Sequence, residues 1–564
     1  MQAQATSSAR APLPTIRELL LPFFLSLALY ASTVSRNLSA SHDSIAYINA
    51  IDARVDLFHP HHLLYNVSAA IWLDLWRALG VRADSAVIVS LLNSVFGALT
   101  LCVFYLLLRA RLRLNISASL LATALPAFSF GLWFYSDCVE VYVIPLFFLL
   151  LSLYLLTGDR LDSRRCAAVG LTTGLAVLFH QAHLLFLPVV LLALLIRRRQ
   201  VPSPWRPGAA YALVFLPLVV LPYTLVMIVV LHLRTSAQAW YWLTLYAHQS
   251  DLWQRLALST LVKALIGAAH AIIGFHFVWA IPVAKAWLER VLAGHWLMDD
   301  AFVTHSLSAR TALALLALSL LLGVILVWLF ASRLRNLRLL WREPHGLVPL
   351  TLAWLAIYSA FFFFWEPSNL EFWIPQSVCC WLLFIALVTA GEQSRTRTLL
   401  ALSVPAALLF LVNLLGSIIF LVTPQNDYYY HKVEPLAALA GPRDLIIIDR
   451  EWILEGYVRR FTGARVLSLT AAYGEAGNPQ AYVQRVRQAI DRTLAQEGRV
   501  FILQEAVQFD PITLQRYGQQ IAAVSQLWRI YQSRWQPARA GDTAFYLLAP
   551  TGRVFRITTR SSPG

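Results

Sequence analysis

Residues 41–62, SHDSIAYINAIDARVDLFHPHH, gather carboxylates and imidazoles directly after an apolar run long enough to cross a membrane. Asp43 stands about nine residues past that run and beside Tyr47, where a membrane-edge carboxylate can serve as a general base. Asp52 and Asp56 are four apart and are expected to share a helix face, while His59 before Pro60 reads as a helix cap and first turn. A second patch, WFYSDCVEVYVIP (133–145), sets Asp137 and Glu140 one helical turn apart, and charged groups at such depth are costly unless functional or paired. In HQAH (180–183), His180 and His183 stand at i and i+3, a spacing that suits a shared ligand or phosphate as well as a plain polar turn. Late in the chain, FFFFWEPSNLEFWIP (361–375) sets Glu366, Asn369 and Glu371 among aromatics. Trp365 and Trp373 are what any membrane interface attracts, but carboxylates and an amide beside aromatic faces are also what a sugar site uses.

The elements that must position these groups are membrane helices. In a chain of 564 residues, 58% hydrophobic and 13% charged residues with a mean hydropathy of +0.61 exclude a water-soluble domain over most of its length. Apolar runs near 18–34, 85–109, 115–134, 139–157, 166–179, 183–196, 209–231, 311–331, 347–364, 373–390 and 398–422 predict crossings. The net charge of +15 does not point to nucleic acid, because the excess sits in short links between runs: RARLR (109–113), RR (164–165), RRR (197–199), RLRNLR (333–338) and RTR (395–397). Such links mark cytoplasmic loops. With the N-terminus inside, every one of them falls on the cytoplasmic side, and the polar patches and the tail fall on the other. Residues 261–287 resist, since as one crossing they would put RLRNLR outside; they contribute none or two, giving about eleven or thirteen crossings. Arg10 and Arg17 precede a first helix read as retained, not as a cleaved signal.

The expected organisation is a cytoplasmic segment over 1–17, a membrane domain over 18–424 with a first external loop at 35–84, and an external α/β domain over 425–564. Within the loop, HLLYNVSAAIWLDLWRALG (62–80) has apolar residues at helical spacing and is expected to lie in the membrane interface. The tail alternates DLIIID (444–449), a helical run from Trp452 to Phe461, ARVLSL (464–469), a polar helix near 478–497, RVFILQ (499–504), and late strands LWRIYQ and TAFYLLA. It carries no glycine-rich phosphate loop. The five cysteines lie in or beside apolar runs, without metal-binding spacing.

This layout resembles the GT-C superfamily of membrane glycosyltransferases, which includes protein O-mannosyltransferases, aminoarabinose transferases and oligosaccharyltransferases. The likeness rests on HDSIAY with Asp43 in the first external loop, on SDCVEVYVIP in the second, and on WEPSNLEFW late in the chain. The lone Asp43 after His42 stands where several of these families show a paired acidic motif, so a divalent metal is left open; FHPHH stands where many show a proline-glycine turn. The resemblance implies transfer of a sugar from a polyprenyl-phosphate donor to a hydroxyl on a glycan, lipid or protein, in the inner (plasma) membrane. It casts Asp43, Asp137 and Glu140 as catalytic candidates, and Tyr47, Arg54, His59, His61, His62, His180, His183, Glu366, Asn369 and Glu371 as substrate-binding ones. Arg54, His59, His61, His62 and His183 would steady the leaving phosphate. Two other readings use the same features: a transporter or flippase of a lipid-linked substrate, and a non-catalytic subunit of an envelope polysaccharide system. Transporters commonly show internal repeats and polar groups near midplane, whereas here the polar groups gather at one face.

Overall fold

The computed structural model describes residues 15–198, 205–249, 252–291, 298–340, 346–392, 394–449, 452–476, 478–508 and 511–550. Arg10, Arg199 and most of the 1–17 segment lie outside these. The chain packs into two compact units, one of Met1–Arg36 and Ala50–Val422, the other of Asn37–Asn49 and Thr423–Gly564.

The first unit is helical and is a polytopic membrane protein. Among the described residues, Ser85–Ala110, Trp205–Val230, Ala309–Leu340, Leu370–Thr389 and Arg395–Leu421 are each long and apolar enough to cross a bilayer. Val143–Leu156, Gln181–Arg197, Leu258–His270 and Leu347–Phe362 are shorter apolar helices. Trp205–Val230 and Ala309–Leu340 leave Leu213, Leu221, Val324 and Val327 exposed, as helices that face lipid do.

The run at 115–134 is not one straight helix. Ile116–Phe128 and Phe130–Asp137 meet at Ser129 with a bend of 71°. A break in an apolar medium frees backbone groups that must find partners. Here the amides of Phe130 and Gly131 donate to the carbonyls of Ile272 and Ala271, both at 3.0 Å. Asn413 closes the arrangement: its Nδ2 donates to Phe128 O (2.6 Å) and Ile272 O (2.9 Å), and its Oδ1 accepts from Gly274 N (2.8 Å). The region 261–287 is therefore interrupted: the helix Leu258–His270 stops, the next residues serve the Ser129 break, and a short 3₁₀ turn Phe275–Ala280 and the helix Pro282–Val291 follow.

Two arginines from the basic links have a local task. Arg111 donates to Tyr154 O (3.0 Å) and Thr157 Oγ1 (3.2 Å), and Arg197 to Leu156 O (2.9 Å) and Asp159 O (3.1 Å). Both are buried, and they satisfy carbonyls left open at the C-terminus of Val143–Leu156.

The second unit holds a five-stranded sheet: β1 (Leu445–Ile448), β2 (Arg465–Ser468), β3 (Val500–Leu503), β4 (Gln536–Ala540) and β5 (Thr543–Leu548), in the order β2-β1-β3-β5-β4. The expected parallel pairing holds for β2-β1-β3, with Ile446 opposite Val466 and Ile447 opposite Ile502; β5 and β4 add antiparallel. LWRIYQ is not a strand but the end of the helix Pro511–Tyr531. Ile521, Val524, Leu527, Trp528 and Tyr531 recur at helical spacing and are buried.

Candidate active site

In the first unit, segments widely separated in sequence meet at one buried carboxylate. Glu371 accepts from Tyr135 Oη (2.9 Å) at Oε2, and from Tyr142 Oη (2.6 Å) and Asn369 Nδ2 (2.8 Å) at Oε1. Tyr135 lies in the last turn of the helix Phe130–Asp137, Tyr142 precedes Val143–Leu156, and Glu371 lies in the 3₁₀ turn Leu370–Trp373 ahead of the helix Ile374–Thr389. From Tyr142 a train of rings continues. Its ring lies 5.2 Å from His180, His180 lies 5.5 Å from His183, and the Nδ1 of His183 pairs with Tyr358 Oη at 3.0 Å. On the other side His180 is 6.3 Å from His61, which packs 4.1 Å from Tyr246, and His59 stacks on His62 at 4.7 Å. The Gln181 amide donates to His61 O (2.6 Å), tying the two histidine segments together.

Burial leaves the loop imidazoles neutral. His59 is pulled down to about 4, with the nearby Asp56 charge opposing the shift; His61 and His62 are lower still, with neighbouring histidines adding to the effect. A neutral imidazole offers one donor and one acceptor and can bind hydroxyl or phosphate oxygen without a fixed charge. Among the described residues, no group of three or more histidine, cysteine, aspartate or glutamate side chains is arranged to hold a metal.

The second unit carries Asp43. It stands immediately before the helix Ser44–Ala53; its carbonyl accepts from Tyr47 N (3.0 Å) and its Oδ2 from Tyr47 Oη (3.1 Å). Burial raises the Asp43 carboxyl above its ordinary value, with the Tyr47 hydrogen bond and the nearby His42 working against the rise. That is the direction a general base needs. His42, before it, holds a left-handed φ of 60°.

The remaining predicted residues have partners of their own. Arg54 pairs with Asp74, and Asp52 accepts from Ser85 Oγ (2.7 Å). Asp52 and Asp56 do not share a helix face: Arg54 and Asp56 take left-handed φ values of 57° and 50°, and the helix ends at Ala53. His59 does not cap the next helix, which begins at Tyr65 and runs to Ala78. Asp137 and Glu140 are not a turn apart on one helix either. Asp137 is the last helical residue and accepts from Thr33 Oγ1 (2.6 Å), while Glu140 lies in the following turn and accepts from Val141 N (3.2 Å). Asn93 fixes that turn by donating to Cys138 O (2.7 Å) and Glu140 O (2.6 Å). Glu366 sits at φ 40° in a turn whose amide donates to Leu252 O (3.0 Å).

Tyr135, Tyr142, Tyr246, Tyr358 and Asn93 are the members that sequence reasoning passed over. The signal was present for two of them, since Tyr135 and Tyr142 flank the acidic pair in YSDCVEVY.

The fold is similar to that of a solved membrane-protein structure, ArnT. The chain is similar to ArnT from Cupriavidus metallidurans bound to undecaprenyl phosphate, at 11% identity over 94% of this chain and 97% of that one, with a TM-score of 0.54. The same protein in its apo state aligns at 11% identity over the same shares, 94% and 97%, with a TM-score of 0.52. An oligosaccharyltransferase from Archaeoglobus fulgidus, in complex with Zn and sulfate, aligns at 12% identity over 94% of this chain and 73% of that one, with a TM-score of 0.47. At such identity the likeness to ArnT speaks for the fold alone. No protein-family profile matches the chain, and no curated protein matches it in sequence.

Proposed function

We propose that this protein transfers a sugar from a polyprenyl-phosphate donor to an acceptor hydroxyl, with Asp43 as the general base. The observation that carries the reading is the meeting, on a fold similar to that of ArnT, of 59–62, 135–142, 180–183 and 369–371 around Glu371 and the histidine train. The sequence reading assigns all four segments to the non-cytoplasmic ends of about eleven or thirteen crossings, where lipid-linked sugars replace nucleotide sugars. A phosphate leaves without a strong acid, so one base that activates the acceptor can suffice. His59, His61, His62, His180 and His183 are assigned to the donor phosphate, and the aromatic carboxylate node of Tyr135, Tyr142, Asn369 and Glu371 to sugar hydroxyls. The similar ArnT structure is bound to undecaprenyl phosphate, a lipid phosphate of the kind that would leave from such a donor, and this supports the assignment.

The test is transfer from radiolabelled polyprenyl-phosphate sugars to native membrane acceptors, comparing wild type with Asp43→Asn at matched expression. A loss of about 10² to 10⁴ in rate is expected. Transfer that survives would move the base to Asp137, Glu140 or Glu366. Absence of transfer from any donor would favour a flippase, a reading that draws on the 71° break at Ser129, since broken helices are a transporter device.

A further inference from the structure

The tail carries no nucleotide motif, yet it holds one acidic residue at the centre of an unusual set of bonds. Asp427 is fully buried. Its Oδ1 accepts from Tyr429 N and Tyr430 N, both at 3.0 Å, as the cap of the helix Tyr428–Ala437, and from Ser39 Oγ at 3.1 Å. Its Oδ2 accepts from Leu38 N at 2.9 Å and from the Tyr457 hydroxyl. Helix capping needs only the first two of these. The others reach back to the segment that leads to Asp43, and further ties flank them: Asn37 Nδ2 donates to Asn426 O (3.1 Å) and Asn49 Nδ2 to Gly456 O (2.9 Å). Gly456 lets the two segments approach closely, since a Cβ there would meet Ile45 Cγ1 at 2.9 Å.

We infer that Asp427 is a positioning residue for Asp43, and that a task of the tail is to hold residues 37–49 so that the Asp43 carboxyl keeps one orientation. The inference rests on the reading of Asp43 as base. Asp427 bonds Leu38 and Ser39; the Asn37 side chain accepts from Ser39 N (3.1 Å) and Ala40 N (2.9 Å); the Ser41 and Ser44 hydroxyls pair at 2.6 Å across Asp43. This short, stiff path ends where Asp43 enters the helix. A carboxylate displaced by about 1 Å from its working geometry can lose about 10²-fold in rate.

The experiment uses the full-length protein in membranes and in nanodiscs. Asp427→Asn exchanges an acceptor for an NH₂ group that faces donors, and Tyr457→Phe removes a single donor while keeping the ring. Transfer by these variants is measured in the wild-type and the Asp43→Asn backgrounds, and amide hydrogen exchange is followed over residues 37–49. Expected results are a loss of about 10-fold to 10²-fold for Asp427→Asn, a smaller one for Tyr457→Phe, faster exchange over 37–49, and no added loss in the Asp43→Asn background. A purely structural role would instead add its full loss in both backgrounds, and that result overturns the inference. Unchanged exchange and unchanged transfer in Asp427→Asn, with Asp43→Asn inactive, overturn it while sparing the base. Full transfer by Asp43→Asn overturns the base reading and the positioning role together.

Discussion

Single side chains here are tuned by burial more than by charge. The Tyr47 hydroxyl holds the Asp43 carboxyl down against a larger upward push from desolvation. A general base works only when deprotonated, so the rate rises with pH through its pKa. Tyr47→Phe removes the downward pull, raises that pKa, and moves the acid limb of the kcat/KM profile to higher pH; a limb that stays in place or moves to lower pH refutes the coupling. The loop histidines make an opposite kind of prediction, about stability. The ordinary imidazole value is about 6.5, and His59 in the folded chain lies at about 4. Between those values the unfolded chain binds more protons, so these residues contribute stability that is present at neutral pH and lost as pH falls through that window. The melting temperature in detergent should drop between pH 7 and pH 4.5, and the drop should shrink when His59, His61 and His62 are all replaced by Gln. Equal drops would show that the histidines do not stay neutral in the fold.

At the scale of elements, the Ser129 break is held by borrowed backbone. Trp381 Nε1 donates to Ser129 Oγ at 2.7 Å, and Asn413 serves both sides of the gap. Asn413→Leu fills similar volume but leaves the Gly274 amide and the carbonyls of Phe128 and Ile272 without that partner. The cost should be about 1–3 kcal/mol, read as a lower melting temperature. Asn413→Asp keeps an acceptor for Gly274 and should fall between; a Leu variant that melts like wild type would mean water or relaxation replaces the amide. The run at 115–134 is apolar enough to read as one helix; Pro126, Ser129 and Gly131 mark where it can bend, but the carbonyls that receive its freed amides lie well over a hundred residues later. Apolar runs predict helices well, since hydrophobicity is local; they do not predict breaks, since the partners of freed amides are not local. The same limit explains LWRIYQ, whose aromatic and β-branched content reads as a strand until its burial pattern joins Ile521 and Val524 on one helix face.

For the whole molecule, charge was the most readable signal and long-range pairing the least. Arginine clusters between apolar runs can be read without any partner, whereas the membership of 37–49 in the second unit depends on Asp427, 389 residues from Leu38. Glu371 reads as a sugar-site candidate from its neighbours in WEPSNLEFW, but its bond to Tyr135 spans 236 residues and no local pattern announces it. The charge pattern makes a prediction that this limit does not touch. If the basic links face the cytoplasm, then with native cysteines replaced, Arg335→Cys and Arg395→Cys should resist an impermeant maleimide in intact cells and react after permeabilisation. Ser236→Cys and Asn478→Cys should react from outside. All four positions are exposed in the structure, so resistance reports on the side of the membrane and not on burial. Labelling of Arg335→Cys from outside would mean that 261–291 supplies an odd number of crossings. It would leave Arg395→Cys to show whether the later spans, with the Glu371 turn between them, are inverted as well. Labelling of both from outside would put the Glu371 node on the cytoplasmic side, where the lipid-linked donor would no longer be the expected source of sugar.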